Sequence, residues 1–272
     1  MPLRPSKDSI PPLTVEHSAQ RYNKGVVESA TIHLAREVPF TLFVNDREVL
    51  SISTLPTHLK ELFIGFLVSE GVLVSREELL ECLVDHDSKL VAVELDVPTE
   101  RMERLDKKGM LTSGCAGGMV FSMEAPAIST GPNVPRIALP CSVILSRMQE
   151  LDKFPGLYRI TRGVHAASVA DHTGNLEILE DIGRHNAVDK IVGHCLLNQI
   201  QTSNKLLLTT GRITSEVLVK AARSRFPVII SRSSTSALAV SMAKQSGIDV
   251  VTYVRPGRFN YFSHGGVELV QD

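Results

Sequence analysis

The chain has 272 residues, of which 43% are hydrophobic and 22% charged, and its formal net charge is −1. This composition is typical of a globular protein with a sizeable core and excludes low-complexity and collagen-like chains. No apolar run reaches the ~18 residues that a membrane span needs, and the first residues lack the apolar segment of a secretory signal. We therefore expect a cytoplasmic protein that binds no membrane.

Charge is distributed unevenly along the chain. Residues 1–150 carry a net charge of −5 and residues 151–272 a net charge of +4. An anionic ligand is therefore expected in the second half. The positive excess is too small for a nucleic-acid-binding protein, so we expect no nucleic acid as a partner.

The first part of the chain predicts a disordered arm over residues 1–24, followed by an α+β domain over residues 25–124. Residues 31–52 alternate as strands around the turn signal Asn45-Asp46. A helix follows Pro56, with apolar residues three and four apart, and ends at Gly71. The pattern then predicts a short helix over residues 77–82 and a strand over residues 90–97.

The most reactive thiol is predicted at Cys115, in the small-residue segment 111–119. Glycines leave the sulfur unscreened, and the nearby Lys107 and Lys108 would favour the thiolate if they approach it. The alternative is a loop cysteine without a role. Cys141 is the rival nucleophile because it begins a predicted helix, whereas Cys82 and Cys195 fall on apolar helix faces and are expected to be buried.

Residues 125–140 contain four prolines and predict a connection to an α/β domain over residues 141–272. Strands separated by helices of 10–15 residues indicate a parallel or mixed sheet that is covered on both faces. The predicted strands are residues 164–170, 176–179, 205–209, 228–231 and 248–254. The predicted helices begin near residues 141, 184, 213 and 234.

Three strand-to-helix junctions of this domain each combine an arginine with glycine or hydroxyl residues. Free N–H groups at a helix start bind phosphate, and arginine adds bidentate contacts, so the junctions predict an anion or nucleotide site. Ordinary helix capping is the alternative. Neither a P-loop nor a Gly-x-Gly-x-x-Gly motif is present. The candidate binding residues here are Arg184, His185, Asn186, Thr210, Gly211, Arg212 and Ser215.

A second candidate binding segment follows the last predicted strand. Its aromatic side chains could stack a base while an asparagine reads the base edge. A strand-and-turn tail that packs on the domain is the alternative. The residues are Phe259, Asn260, Tyr261, Phe262, Ser263 and His264.

Zinc catalysis is not expected. The segment His165-Ala166-Ala167 resembles the His-x-Glu of zinc deaminases, but Ala167 replaces the glutamate and no Pro-Cys-x-x-Cys follows. The histidines show no ligand spacing.

Residues 180–190, residues 209–216 and the run Arg258-Phe259-Asn260-Tyr261 resemble the FdhD family of formate dehydrogenase accessory sulfurtransferases. The eleven-residue run 180–190 is the most specific of these motifs. The likeness extends from about residue 25 to the C-terminus.

The resemblance implies a cytidine-deaminase-like three-layer domain with a mixed sheet, without its zinc, beside the smaller N-terminal α+β domain. It implies that Cys115 accepts sulfur from a cysteine desulfurase as a persulfide. The sulfur would pass to the molybdenum cofactor, a bis-molybdopterin guanine dinucleotide, for formate dehydrogenase. It also implies that residues 259–264 bind the guanine dinucleotide part, and that the protein is a homodimer.

One position departs from the family pattern. Many members carry Cys-x-x-Cys in this loop, whereas Gly118 stands three residues after Cys115. A single thiolate can still form a persulfide by thiol exchange. Two alternatives remain: a chaperone that binds the cofactor without transferring sulfur, and a hydrolytic deaminase-like enzyme.

Overall fold

The computed structural model describes residues 11–105 and 136–271 and, between these ranges, the backbone of two short strands. The strands are β1 (Thr14–Asn23), β2 (Val26–Ala35), β3 (Val38–Val44), β4 (Arg47–Thr54), β5 (Leu79–Asp85), β6 (Leu90–Leu95), β7 (Met110–Leu111), β8 (Met119–Val120), β9 (Ile137–Pro140), β10 (His165–Ala170), β11 (Asn175–Asp181), β12 (Leu206–Thr209), β13 (Val228–Ser231), β14 (Asp249–Arg255), β15 (Arg258–Phe262) and β16 (Val267–Val270). The helices are α1 (Leu59–Ser69), α2 (Thr99–Met102), α3 (Cys141–Lys153), α4 (Leu157–Thr161), α5 (Arg184–Leu197), α6 (Ser215–Arg223) and α7 (Ala237–Ser246).

The largest sheet has six strands in the order β11-β10-β12-β13-β14-β15. The pairs β12–β13 and β13–β14 are parallel and the other pairs antiparallel, so the predicted mixed sheet is confirmed. Its strands are apolar on both faces, as a covered sheet requires. On β12, Leu207 packs on the side of α5 and α6, whereas Leu206 and Leu208 pack on the side of α3.

A second, four-stranded sheet has the order β4-β3-β6-β5. Asn45 and Asp46 form the two-residue turn between β3 and β4, both with positive φ, which confirms the predicted hairpin. Apolar residues of this sheet, such as Leu42 and Val91, share one buried cluster with α1, α5 and the large sheet. The exact domain boundaries stay a prediction, but the two sheets are joined by this common core.

Helices α1 and α5 cross at two glycines. A β-carbon on Gly65 would overlap the carbonyl oxygen of Asp189, and one on Gly193 would overlap the carbonyl oxygen of Glu61. The absence of side chains at both positions lets the two backbones come into direct contact. The N-terminal sheet is thereby held against the helix whose first residues carry the predicted anion site.

The predicted arm over residues 1–24 is wrong for Thr14–Asn23, which form β1 and pair along their whole length with β2. Lys24 and Gly25 make the turn, both with positive φ. Most side chains of β1 and β2 are exposed on both faces of this hairpin. In β1 only Val15, Ala19 and Tyr22 are apolar, so the sequence pattern of this strand is weak.

Two further predictions are corrected. Residues 77–82 were expected as a helix, but Leu79–Asp85 form β5, because pairing with β6 outweighs the local pattern. The end of the predicted connection 125–140 is also structured, since Ile137–Pro140 form β9, parallel to β16. Residues 125–135 lie outside the described residues. No helix in the described part of the chain is long and apolar enough to span a membrane.

Candidate functional site

The predicted junction residues meet at one edge of the six-stranded sheet. Thr209 and Ser231 end the parallel strands β12 and β13 side by side. Asp181 ends β11 at the same edge, because β10 begins there with His165, which pairs with Asp181. We call this the carboxyl edge. Ligands of open α/β sheets bind at such an edge, beyond the strand ends.

Arg184 is the central cation of the carboxyl edge. It is the first residue of α5 and only 5% exposed, yet its Nε and Nη2 atoms are buried without a hydrogen-bond partner. Gly211 passes close beside it, since a β-carbon there would lie 2.7 Å from the Arg184 β-carbon. A buried charge normally requires a partner. The arrangement therefore fits an anion that satisfies these N–H groups.

The pKa values of two neighbouring histidines are lowered in part by the positive charges at this edge. Burial lowers the pKa of His165, and the charges of Arg184 and Arg212 lower it further. Burial lowers the pKa of His185 to about 3, with further contributions from Lys220 and Arg184. Both imidazoles are thus held neutral mainly by burial and in addition by the cations around them, whose field would attract an anion.

His185 is also fixed on the side of α6. Its Nε2 atom lies 3.0 Å from Glu216 Oε2 and 3.4 Å from Thr214 Oγ1. Both His185 and Glu216 are buried. The neutral ring can donate its Nε2–H to the carboxylate, which orients the ring at the start of α5.

The β12–α6 loop is fixed by hydrogen bonds to its own polar groups and to its neighbours. Ala166 N donates to Thr210 Oγ1 at 3.0 Å, Gly211 N donates to Thr209 Oγ1 at 3.1 Å, and the Ser231 hydroxyl donates to the Gly211 carbonyl at 2.6 Å. Arg212 is exposed and Ser215 is the first residue of α6. The structure therefore brings Thr210, Gly211, Arg212 and Ser215 to the same edge as Arg184.

Asn186 has a different position from the one expected of a ligand contact. Its amide N–H groups donate to Asp181 Oδ1 at 2.9 Å and to the Ser53 carbonyl at 3.0 Å. Both partners belong to the protein, so Asn186 holds the start of α5 against β4.

The Asp181 carboxylate fixes the start of α5 by accepting hydrogen bonds from several parts of the chain. Its fully buried carboxylate accepts from Lys190 Nζ at 2.7 Å, from Gly183 N at 3.0 Å and from Leu55 N at 3.2 Å. The Thr54 hydroxyl donates to it as well. Much of the run 180–190 is thus a buried scaffold that ties the N-terminal sheet to α5.

A cavity of about 350 Å³ opens at the carboxyl edge beside β10. Its lining includes His165 and Thr210, together with Tyr158, Arg162 and Arg232. Arg162 lies over the Tyr158 ring at 5.1 Å, and Arg232 pairs with Asp152 at 2.9 Å. Sequence reasoning missed Tyr158 and Arg162, because the short helix α4 that carries them has no motif.

The residues of the C-terminal candidate segment, 259–264, lie in two different places in the structure. Phe259 and Asn260 line a second cavity of about 300 Å³ at the carboxyl edge, with Tyr253, Arg255 and Arg258. This cavity exists because β14 and β15 turn at Arg255 and Arg258. Tyr253, in a left-handed conformation with φ of 52°, was not anticipated.

The other four residues of that segment lie toward the opposite end of β14. Tyr261 OH donates to the buried Asp249 carboxylate at 2.8 Å, and His264 N donates to it as well. Phe262 pairs with Val250, and the exposed Ser263 follows it. The structure therefore does not bring Tyr261, Phe262, Ser263 and His264 to the cavity that Phe259 and Asn260 line.

Comparison with known proteins now gives the family. The model of the FdhD/NarQ family matches residues 35–267. The chain belongs to the FdhD/NarQ family. It is 34% identical over 252 residues to the sulfur carrier protein FdhD of Bacillus subtilis (strain 168), covering 93% of this chain and 96% of that one. The corresponding protein of Staphylococcus aureus (strain Newman) is 35% identical over 244 residues, covering 90% and 92%.

The fold is similar to a crystal structure assigned as a formate dehydrogenase accessory protein from Desulfotalea psychrophila. The TM-score is 0.75 at 32% identity, with 93% of this chain and 97% of that chain covered. The family resemblance that the motifs indicated is therefore confirmed.

Cys115, the predicted nucleophile of this FdhD/NarQ family member, lies outside the described residues. Burial raises the pKa of Cys82 and of Cys195 to about 12, so neither is a thiolate at neutral pH. Cys141 begins α3, whose other end carries Asp152 beside the first cavity. Eleven helical residues separate the two by about 16 Å, which places Cys141 away from the carboxyl edge.

No group of three histidine, cysteine or acidic side chains in a metal-binding arrangement occurs among residues 11–105 and 136–271. Four arginines, Arg162, Arg184, Arg212 and Arg232, lie at the carboxyl edge, together with the neutral His165 and His185. Anion binding at this edge stays a prediction.

Proposed function

We propose that this chain is a sulfur carrier for formate dehydrogenase that takes sulfur on Cys115 and delivers it to the molybdenum cofactor bound at the carboxyl edge. Family membership supports the sulfur-carrier role, since both relatives are named sulfur carrier proteins. The client follows from the name of the structural neighbour. The observation that carries the binding half of the proposal is the buried Arg184, whose Nε and Nη2 atoms have no hydrogen-bond partner.

The residues of the carboxyl edge fit the nucleotide part of such a cofactor. Arg184, Arg212 and the N–H groups at the start of α6, which no side chain caps, would hold phosphate oxygens, because guanidinium and backbone N–H groups are the usual phosphate donors. Phe259 and Tyr253 would lie against a base. Strands β12 and β15 are three strand spacings apart, about 14 Å, which a dinucleotide can bridge.

The proposed loading step needs one thiolate. The Cys115 sulfur attacks the outer sulfur of a persulfide on a cysteine desulfurase. A new S–S bond forms at Cys115, the donor S–S bond breaks, and the donor cysteine leaves as its thiolate. In delivery, the acceptor donates an electron pair to the terminal sulfur, the S–S bond at Cys115 breaks, and its electron pair stays on Cys115 as the thiolate. Gly118 in place of a second cysteine therefore does not prevent the cycle.

The domain type, the cellular location and the oligomeric state belong to the same proposal. The mixed six-stranded sheet with helices on both faces supports a cytidine-deaminase-like domain without zinc. The free thiols of Cys82, Cys141 and Cys195 support a cytoplasmic location. We also expect a homodimer.

Intact-protein mass spectrometry tests the sulfur-carrier half. Incubation with a cysteine desulfurase and cysteine should add about 32 Da, one persulfide sulfur, to the wild type. The adduct should disappear in Cys115→Ser and persist in the matched control Cys141→Ser. An adduct that persists in Cys115→Ser would show that another residue is the carrier.

Calorimetric titration with GDP tests the binding half separately. Arg184→Gln and Arg212→Gln should each weaken GDP binding, whereas Lys244→Gln, which removes an exposed cation from the last turn of α7, should not. Unchanged affinity in both arginine variants would place the nucleotide elsewhere. Normal formate dehydrogenase maturation by Cys115→Ser, with GDP binding intact, would favour the cofactor chaperone over the sulfur carrier.

A further inference from the structure

The four-stranded N-terminal sheet has one covered face and one uncovered face. Helix α1 packs on the face that carries Leu42. Side chains alternate along a strand, so the next residue, Phe43, points to the opposite face. Phe43, Leu83 and Leu90 belong to none of the buried clusters that the described residues form. We call this opposite face the outer face and define it by Phe43, Glu48, Glu81, Leu83, Leu90 and Glu94.

The centre of the outer face is apolar. Ala92 of β6 lies between Phe43 of β3 and Leu83 of β5, because it is paired with both. Leu90 stands two residues before Ala92 and therefore shares its face. Leu80 is left unpaired at the bulge of β5 and is 64% exposed. The described part of the chain thus leaves a continuous apolar area without a cover.

The rim of the outer face is acidic. Glu81 and Glu94 are directly paired across β5 and β6, and both are exposed. Glu48 is paired with Phe43 at the other side of the face and is also exposed. Residues 77–96 hold seven acidic residues against one lysine. Like charges directly opposite each other destabilise a strand pair, so this part of the sheet keeps a repulsion that folding does not require.

The charge of the outer face selects the kind of partner. A second copy of the chain would bring one acidic face against another, and nucleic acids, anionic lipids and phosphate-bearing ligands are repelled in the same way. Protein interfaces commonly combine an apolar centre with a polar rim of complementary charge. The outer face therefore fits a protein that presents lysines or arginines around an apolar patch.

The chain that leads to Cys115 departs beside this face. Arg101 of α2 donates to both carboxylate oxygens of Glu78, at 2.6 and 3.0 Å, and thereby ties α2 to the start of β5. The continuous described chain ends shortly after α2, at the buried Leu105. Ten residues separate Leu105 from Cys115 and span at most about 36 Å. A protein docked on the outer face is therefore within reach of Cys115, whereas both cavities of the carboxyl edge belong to the other sheet.

We propose that the outer face is the docking surface of the persulfide-donor protein, which meets it with basic side chains around an apolar patch. The docking surface rests on the sulfur-carrier function proposed above, because a donor has to reach Cys115, whereas a client receives the cofactor from the carboxyl edge. A donor bound to the outer face leaves the carboxyl edge free for the cofactor.

Charge reversal at Glu94 tests the docking surface without a folding defect. Glu94→Lys replaces the repulsion with Glu81 by an attraction, so the melting temperature should not fall. Loading by a cysteine desulfurase and cysteine is followed by the adduct of about 32 Da, and the desulfurase concentration for half-maximal loading should rise about tenfold. Glu268→Lys makes the same charge change at an exposed residue of β16 and should have no effect. Equal effects of the two variants, or no effect of Glu94→Lys, would overturn the docking surface.

A small-molecule donor separates docking from the sulfur chemistry. Glutathione persulfide has no protein surface and should load the wild type and Glu94→Lys at equal rates. A loss of loading with this donor as well would place the effect at Cys115 and overturn the docking surface. No loading of the wild type by either donor would overturn the sulfur-carrier function, and the docking surface with it.

Exposed leucines test the apolar part of the surface. Leu80→Ser should raise the desulfurase concentration for half-maximal loading about tenfold and leave loading by glutathione persulfide unchanged. Leu176→Ser, at a leucine of β11 that is 44% exposed, is the matched control and should change neither. Unchanged loading of Leu80→Ser by the desulfurase would show that the donor does not cover the apolar area.

Discussion

At the scale of single residues, burial of the Arg184 charge costs folding free energy that hydrogen bonds within the protein do not fully offset. The aliphatic part of its side chain lies against Gly211, and its buried Nε and Nη2 atoms have no hydrogen-bond acceptor. Removing an unsatisfied buried donor normally stabilises a protein, whereas removing a satisfied one destabilises it. The residue is therefore better explained by a ligand than by stability.

The substitution Arg184→Met should distinguish a ligand-binding role of Arg184 from a stabilising role. The apolar side chain fills much of the same volume, so we expect the free energy of unfolding to rise by about 1 kcal/mol. GDP binding should weaken by about tenfold or more, because a buried charged hydrogen bond is lost. Urea unfolding and calorimetry measure the two effects. A loss of stability would show that Arg184 has a structural partner after all.

His185 makes stability depend on pH. Its pKa is lowered to about 3 in the folded protein, while an unfolded histidine has a pKa near 6.5. Between these values the unfolded state binds the extra proton, so stability should fall as pH falls below about 6.5, by up to about 1.4 kcal/mol per pH unit. His58 and His165 act in the same direction, since burial lowers the pKa of each.

The substitution His185→Gln should flatten this dependence between pH 6.5 and pH 5. His172→Gln, in an exposed turn, is the control and should retain the full slope. Thermal melts over this pH range measure how the stability of each variant depends on pH. Equal slopes for wild type and His185→Gln would show that His185 is protonated in the folded state.

At the scale of elements, the crossing of α1 and α5 depends on the missing side chains at Gly65 and Gly193. We expect Gly65→Ala or Gly193→Ala to destabilise the protein by about 3 kcal/mol or more, since the helices must separate to admit a methyl group. Gly163→Ala is the matched control, because the nearest atom to its β-carbon lies at 3.7 Å and its backbone has no positive φ. Denaturant unfolding of the three variants gives the comparison.

The same crossing explains why the run 180–190 is so specific in sequence. Asp181 and Lys190 pair inside the protein, while Asp189 accepts from Lys220 Nζ at 2.7 Å and from the Ser69 hydroxyl at 2.6 Å. Sequence reasoning assigned only Arg184, His185 and Asn186 of this run to ligand binding. The unpartnered nitrogens of Arg184 agree with that prediction, whereas Asp181, Asp189 and Lys190 serve the packing of α5.

At the scale of the whole molecule, the two predicted domains share one buried cluster that runs from β3 through α1 and α5 to the large sheet. We therefore expect a single cooperative unfolding transition, with the calorimetric enthalpy equal to the van't Hoff enthalpy. The isolated C-terminal part, residues 136–272, should fail to fold because it would expose the face of α5 that α1 covers. Two separate calorimetric transitions would show independent domains.

The sequence by itself determined the elements that local periodicity specifies and the family to which the chain belongs. Strands β10 to β14, helices α3, α5, α6 and α7, the Asn45-Asp46 hairpin and the apolar face of α1 follow from side-chain spacing, because burial on one side imposes a period. The arginines at the strand-to-helix junctions could also be found from the sequence, because each stands beside glycine or hydroxyl residues where a strand ends and a helix begins.

Only the tertiary structure decided which of those residues meet. β1 has no buried face to mark it, and β5 became a strand through its pairing with β6. Residues 259–264 are contiguous in sequence, but a strand of five residues carries its two ends to opposite edges of the sheet. Arg184 packs its aliphatic carbons against Gly211, twenty-seven positions later, and such contacts between distant residues leave no period in the chain.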